Sequence, residues 1–143
     1  MDLSEIGEEC YIPLLVSLLH VTDNLKKEEM PNLIDTNDFE YFEPIPGLRA
    51  KVVHTADQTY AFWEIDAGTI LPSHQHFHAQ VSIVTKGTIA LTIDGVTTEM
   101  QKGMVALIPP NTVHSAKAIT DVELTDVFTP VREDFPNYQT GNA

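Results

Sequence analysis

From Asp38 onward the chain is written in short runs that alternate apolar or β-branched residues with polar ones: DFEYFEPI, LRAKVVHT, TYAFWEI, QVSIVTKG, TIALTID, MVALIP, SAKAI and VELTDVFT. A period of two sends successive side chains to opposite faces of a strand, so each run predicts a β-strand with one face in a core. Turn signals separate the runs at Pro46-Gly47, Asp66-Ala67-Gly68, Asp94-Gly95, Lys102-Gly103 and Pro109-Pro110-Asn111. Asp94-Gly95, between TIALTI and VTTEM, predicts a two-residue hairpin. Many short strands at regular turn spacing predict an all-β barrel or sandwich over residues 37–136.

The first 36 residues have another texture. Leu14, Leu15, Leu18, Leu19, Val21 and Leu25 recur at helical spacing, with acidic residues before them and Lys26 and Lys27 near the end. That charge order suits a helix dipole. The pattern predicts an N-terminal helical arm over 1–36, packed on its own sheet or on a neighbouring subunit; periodicity does not name the partner. The polar tail 137–143 is expected to fray.

Composition narrows the partners. A chain of 143 residues fits one barrel domain with one core. It carries 8 Lys and Arg against 21 Asp and Glu, a net charge of −13. That charge repels nucleic acid and anionic membrane surfaces, so neither is an expected partner. Cys10 is the only cysteine and cannot form an internal disulfide. The apolar run YIPLLVSLLHV is too short to span a bilayer and follows acidic residues, the wrong sign for a secretory leader. A cytoplasmic protein is the expectation.

The chemistry concentrates in GTILPSHQHFHAQVSIVTKG, residues 68–87. His74, His76, His78 and Gln80 occupy every second position, so a continuous strand would aim all four at one side. His114 follows in GMVALIPPNTVH. One inward histidine in a barrel is an ordinary hydrogen-bonded core residue. Three at ligand spacing with a distant fourth point instead to a transition-metal ion.

These residues carry a resemblance to the cupin superfamily. Gly68, TILPS, His74-Gln-His76, FHA, Gln80, VSIVTK and Gly87 are similar to its first motif, and Gly103, MVALI, Pro109, Pro110, Asn111, TV and His114 to its second. The fifteen residues between the motifs suit one short hairpin. Asn111 replaces a usual glycine but tolerates a left-handed turn. The resemblance spans roughly Gly47 to Phe135. It implies an all-β cupin fold, a jelly-roll-like double-stranded β-helix barrel, here with an N-terminal helical extension. It also implies one divalent transition metal ion per chain (Zn, Ni, Fe, Mn or Co) on His74, His76, Gln80 and His114. Gln80 stands where most cupins carry Glu; a neutral amide oxygen leaves the ion's charge intact. His78 then falls to a pocket wall or an outer shell, with direct coordination the lesser alternative.

A second constellation lies in VELTDVFTPVREDF. If Val122 and Leu124 face the core, Asp126 and Phe128 do too. A carboxylate carried inward is costly unless it is paired or functional. Asp126 is therefore either a satisfied structural residue or a general acid–base. Arg132 can bind a carboxylate with two hydrogen bonds, or pair with Glu133 or Asp134. The run is similar to the C-terminus of small single-domain cupins, among them pectin-degradation proteins that ring-open 4,5-unsaturated uronates. That resemblance implies a metal-dependent isomerase- or lyase-type reaction on a small anionic sugar acid. Asp126 and Arg132 would be catalytic, and Phe128, His78 and Arg132 would bind substrate. An iron-dependent dioxygenase and a non-enzymatic small-molecule-binding cupin are the alternatives. Open sheet edges and the apolar arm predict a homodimer.

Overall fold

The computed structural model describes residues 33–136. The expected N-terminal arm falls almost wholly outside the described residues, as does the tail 137–143. A 3₁₀ turn at Thr36–Asp38 is the only helical element described. No described helix is long and apolar enough to cross a membrane.

Ten strands follow: β1 (Phe42–Ile45), β2 (Leu48–His54), β3 (Thr59–Ile65), β4 (Ile70–His74), β5 (Ala79–Lys86), β6 (Thr88–Ile93), β7 (Val96–Gln101), β8 (Val105–Ile108), β9 (His114–Ala118) and β10 (Val122–Thr129). They form a six-stranded sheet, β1-β2-β3-β10-β5-β8, and a four-stranded sheet, β4-β9-β6-β7. All the pairings are antiparallel. This is the all-β, two-sheet architecture that the alternating runs predict.

The hairpin forms as read. Ile93 pairs with Val96, and Asp94 and Gly95 carry φ of 48° and 80°. Two positive φ values define the turn whose twist matches the flanking strands, which Asp-Gly favours. Asn111, with φ of 59°, takes the left-handed conformation too. Gly87, at φ 79°, has a second constraint: a Cβ there would run into the carbonyl oxygen of Asp121.

Two sequence expectations change. DFEYFEPI shortens to β1, because the residues before Phe42 close the 3₁₀ turn and a bend. The histidine run is not one strand. β4 ends at His74 in the four-stranded sheet, and β5 begins at Ala79 in the six-stranded sheet. The chain turns from one sheet to the other between them, so alternation does not carry through His76 and His78.

The core lies between the sheets. Along β10, Val122, Leu124, Asp126 and Phe128 are buried and their neighbours are not. Cross-strand register sets Asp126 between Ala61 of β3 and Ser82 of β5, and Ser82 beside Ala106 of β8. Phe128 sits between Thr59 and Gln80, and Leu124 between Trp63 and Val84. The row through Asp126 therefore sets it among the small side chains Ala61, Ser82 and Ala106.

Candidate metal and acid–base site

His74, His76 and His114 converge. Each offers a ring nitrogen, and these atoms lie within 4.8 Å of one another. The topology explains why. His74 closes β4 and His114 opens β9, directly opposite in register. His76 sits on the corner between the sheets, and its carbonyl accepts the Asn111 N–H at 2.7 Å, pinning the second turn to the first. His114 is the first residue of its strand.

The three rings share a second feature. Nδ1 of His74 meets the Pro72 carbonyl at 2.8 Å, that of His114 meets Thr112 at 2.8 Å, and that of His76 meets His78 at 3.1 Å. An Nδ1–H donated to each carbonyl leaves Nε2 as a free lone pair, the form that ligates a metal. Nε2 of His114 is buried with no hydrogen-bond partner. Such an orphan is costly in a folded protein unless something occupies the space beside it.

Gln80 extends the cluster. Its Oε1 lies 3.1 Å from Nε2 of His76, and its Nε2 donates to Ser82 Oγ at 3.1 Å. Ser82 Oγ donates in turn to Asp126. That sequence fixes the amide, with its oxygen toward the histidines. Burial, then the charge of Arg132, lowers the His76 pKa to about 4, so the ring is neutral near pH 7. In either neutral tautomer one of its nitrogens faces an oxygen with no proton between them. A cation at Nε2 removes the mismatch, so these residues fit a metal ion. Burial also lowers the pKa of His114.

Asp126 is buried and its pKa is raised to about 6. Desolvation dominates; the donors Ser82 and Gln80 oppose it, as does the Arg132 charge. Trp63 Nε1–H also favours the anion, although it falls short of a full hydrogen bond. Arg132 pairs with Asp134, not Glu133. The pair is not a surface ornament: the Arg132 side chain is only 12 % exposed.

One cavity of about 310 Å³ collects these groups. His74, His76, Gln80, His114, Ser82, Asp126, Phe128 and Arg132 line it, together with apolar side chains such as Trp63, Leu91, Met100 and Leu124. His78 does not reach it. Its ring is buried beneath Phe77, with centroids 4.0 Å apart, and Nε2 lies 3.3 Å from the Val131 carbonyl. The corner that ends β4 turns it behind the wall it was expected to form. Asp134 and Phe135 also line the cavity. Both stand in the REDF run, but nothing in their spacing marked them as site residues.

Residues 61–128 match the family model described as a cupin domain. Among solved structures, KdgF from a Halomonas species is 27 % identical, with a TM-score of 0.67 over 71 % of this chain and 96 % of its own. An RmlC-like cupin from Shewanella frigidimarina is 28 % identical, with a TM-score of 0.69 over 73 % and 96 %. A salicylate 1,2-dioxygenase variant from Pseudoaminobacter salicylatoxidans shares the fold at 22 % identity, with a TM-score of 0.58 over 60 % of this chain and 28 % of that one. A search of curated proteins returns no match. The barrel has the cupin fold, and its three clustered histidines could hold a metal ion.

Proposed function

We propose that this cupin is a metal-dependent enzyme that ring-opens an unsaturated uronate or a related sugar acid. The carrying observation is that the three-histidine cluster, Asp126 and Arg132 line one cavity. The sequence resemblance to uronate ring-opening cupins and the structural likeness to KdgF support the same reading. His74, His76, Gln80 and His114 would hold one divalent ion. When bound, the ion supplies positive charge that stabilises negative charge developing on a substrate oxygen.

The protein's own groups do the rest. Arg132 holds the substrate carboxylate, and Phe128 forms an apolar wall beside it. Asp126, ionised near neutral pH, accepts the proton of the anomeric hydroxyl. The C1–O5 bond then breaks and C1 becomes an aldehyde. The enolate left across O5, C5 and C4 becomes a ketone as C4 takes the proton from Asp126. Substrate and product are isomers, so no co-reactant is needed. A pKa near the working pH suits a group that both accepts and returns a proton.

The experiment follows the absorbance of the conjugated double bond when metal-loaded protein meets an unsaturated uronate. Acceleration over buffer is expected, and its absence with metal present sinks the reading. His76→Ala should lose both bound metal, read by elemental analysis, and turnover. The largely apolar remainder of the cavity favours one second reading, an iron-dependent dioxygenase of a small aromatic acid. Iron-dependent oxygen uptake with such a substrate would select it.

The reading includes a cytoplasmic homodimer. The outer face of the six-stranded sheet places Val105 and Leu107 of β8 beside Ile83 and Val81 of β5, with Val127 and Phe62 beyond. None of these positions is acidic. A chain of net charge −13 meets its own copy best on such a face. Leu107→Lys should convert dimer to monomer in light scattering; an unchanged mass removes this face as the interface.

A further inference from the structure

Among the described residues lining the cavity, Arg132 is the only Lys or Arg. A guanidinium has five N–H donors in a rigid fork. Here Nε donates to Asp134 Oδ1 at 2.8 Å, and Nη2 to Oδ2 at 2.6 Å. That side-on pair uses the Nε hydrogen and one Nη2 hydrogen. Both Nη1 hydrogens and the second Nη2 hydrogen stay free along the end edge, which is a second bidentate carboxylate site.

The plane of the fork is held as well. The guanidinium carbon lies 4.9 Å from the Phe128 ring centroid and 4.2 Å from that of Phe135. The two rings are 5.5 Å apart and nearly perpendicular, at 80°. The turn beneath is stitched at both ends. Arg132 N–H donates to Thr59 Oγ1 at 2.9 Å, and Phe135 N–H donates to the Arg132 carbonyl at 3.1 Å. Thr59 Oγ1 already accepts, so its hydrogen goes to Nδ1 of His54 at 2.7 Å. This leaves Nε2–H of His54 for the Pro136 carbonyl at 3.1 Å. In that neutral tautomer every contact has one donor and one acceptor.

We propose that Asp134 is a positioning residue that holds the Arg132 guanidinium with its free Nη1/Nη2 edge toward the substrate carboxylate. This rests on the reading of Arg132 as the carboxylate-binding group of the cavity. Asp134 is not a competitor for that carboxylate, because it uses the other edge of the fork. Its removal frees a rotamer-rich side chain to turn, and re-ordering that side chain on binding costs about tenfold in affinity.

The test is calorimetry on the zinc-loaded protein with galacturonate and galacturonate methyl ester, an acid and its neutral analogue that lack the reactive double bond. The expected wild-type result is tighter binding of the acid, a preference that Arg132→Ala abolishes. Asp134→Asn and Asp134→Ala should weaken the acid about tenfold and leave the ester unchanged, with Asp134→Glu recovering part of the loss. Tighter acid binding in these variants would make Asp134 a competitor and overturn the proposal. Unchanged acid binding, with Arg132→Ala still damaging, overturns it while leaving the site reading intact. No preference for the acid in the wild type removes both. A ligand-free readout adds to this. The chain has two arginines, Arg49 and Arg132, so their Nε–H resonances are separable. In Asp134→Asn the Arg132 signal should move upfield and exchange faster while that of Arg49 stays; an unmoved Arg132 signal means that Asp134 does not hold the fork.

Discussion

Asp126 and Asp134 belong to one stretch of chain yet meet opposite environments. Asp126 lies within β10, sealed between the sheets, and desolvation raises its pKa to about 6. Asp134 lies in the turn after β10, partly in water, and its hydrogen bonds to Arg132 lower its pKa. Arg132 acts on both: it opposes the shift of Asp126 from a distance and drives that of Asp134 by contact. A carboxyl poised near neutral pH can move protons; one held far below it can only bind or position. The fold makes this division by burying one side chain and pairing the other.

The largest expected effect separates the two. Asp126→Asn should lower turnover by about 10²- to 10⁴-fold and keep the metal, because the proton carrier is lost while the histidines remain. Asp134→Asn should raise KM about tenfold and leave kcat near the wild-type value. If both variants lose kcat alike, the two carboxyls share a role and the contrast fails.

The pH profile sharpens the same point. With its base form titrating near 6, Asp126 should impose an acid limb on kcat/KM at about pH 6, absent from the residual activity of Asp126→Asn. Ser82→Ala removes the donor that favours the anion, so the limb should move up by about one pH unit. Asp134→Asn should leave the limb in place. His76, neutral down to about pH 4, should keep its ligand role across this range.

The smallest effects concern stability, and their signs differ. The folded chain holds a proton on Asp126 between about pH 4 and 6 that the unfolded chain has released. Its contribution to stability therefore falls as pH rises through that window. Asp126→Asn should melt higher than the wild type at pH 8 and lose that advantage near pH 4. Asp134 has a lowered pKa, so its pairing stabilises above the unfolded value and fades as pH falls. Its partly exposed ion pair is worth within about 1 kcal/mol, and Asp134→Asn should melt slightly lower at pH 8. A lower melting point for Asp126→Asn at pH 8 would mean that its hydrogen bonds outweigh its desolvation.

Much of this was legible before folding. Alternation in VELTDVFT assigned Asp126 and Phe128 to the interior, and Asp-Gly placed the hairpin, because both follow from local backbone geometry. The glycine and histidine spacing marked His74, His76 and His114. The same rule failed at His78. Period two holds only along one strand, and the chain changes sheets between His74 and Ala79. Whether Arg132 would face the cavity or a neighbouring acid was also open, since both outcomes suit the same residues. The structure shows both: Arg132 lines the cavity and pairs with Asp134.

The sequence by itself determined which residues could carry chemistry and which strands would bury them, since side-chain type and alternation are properties of the local chain. Only the tertiary structure decided the rest. It set the three imidazoles within reach of one ion, turned the Gln80 oxygen toward them through Ser82, and gave two aspartates opposite acidities. Those outcomes depend on distance and on water, and both are set by which strands lie side by side.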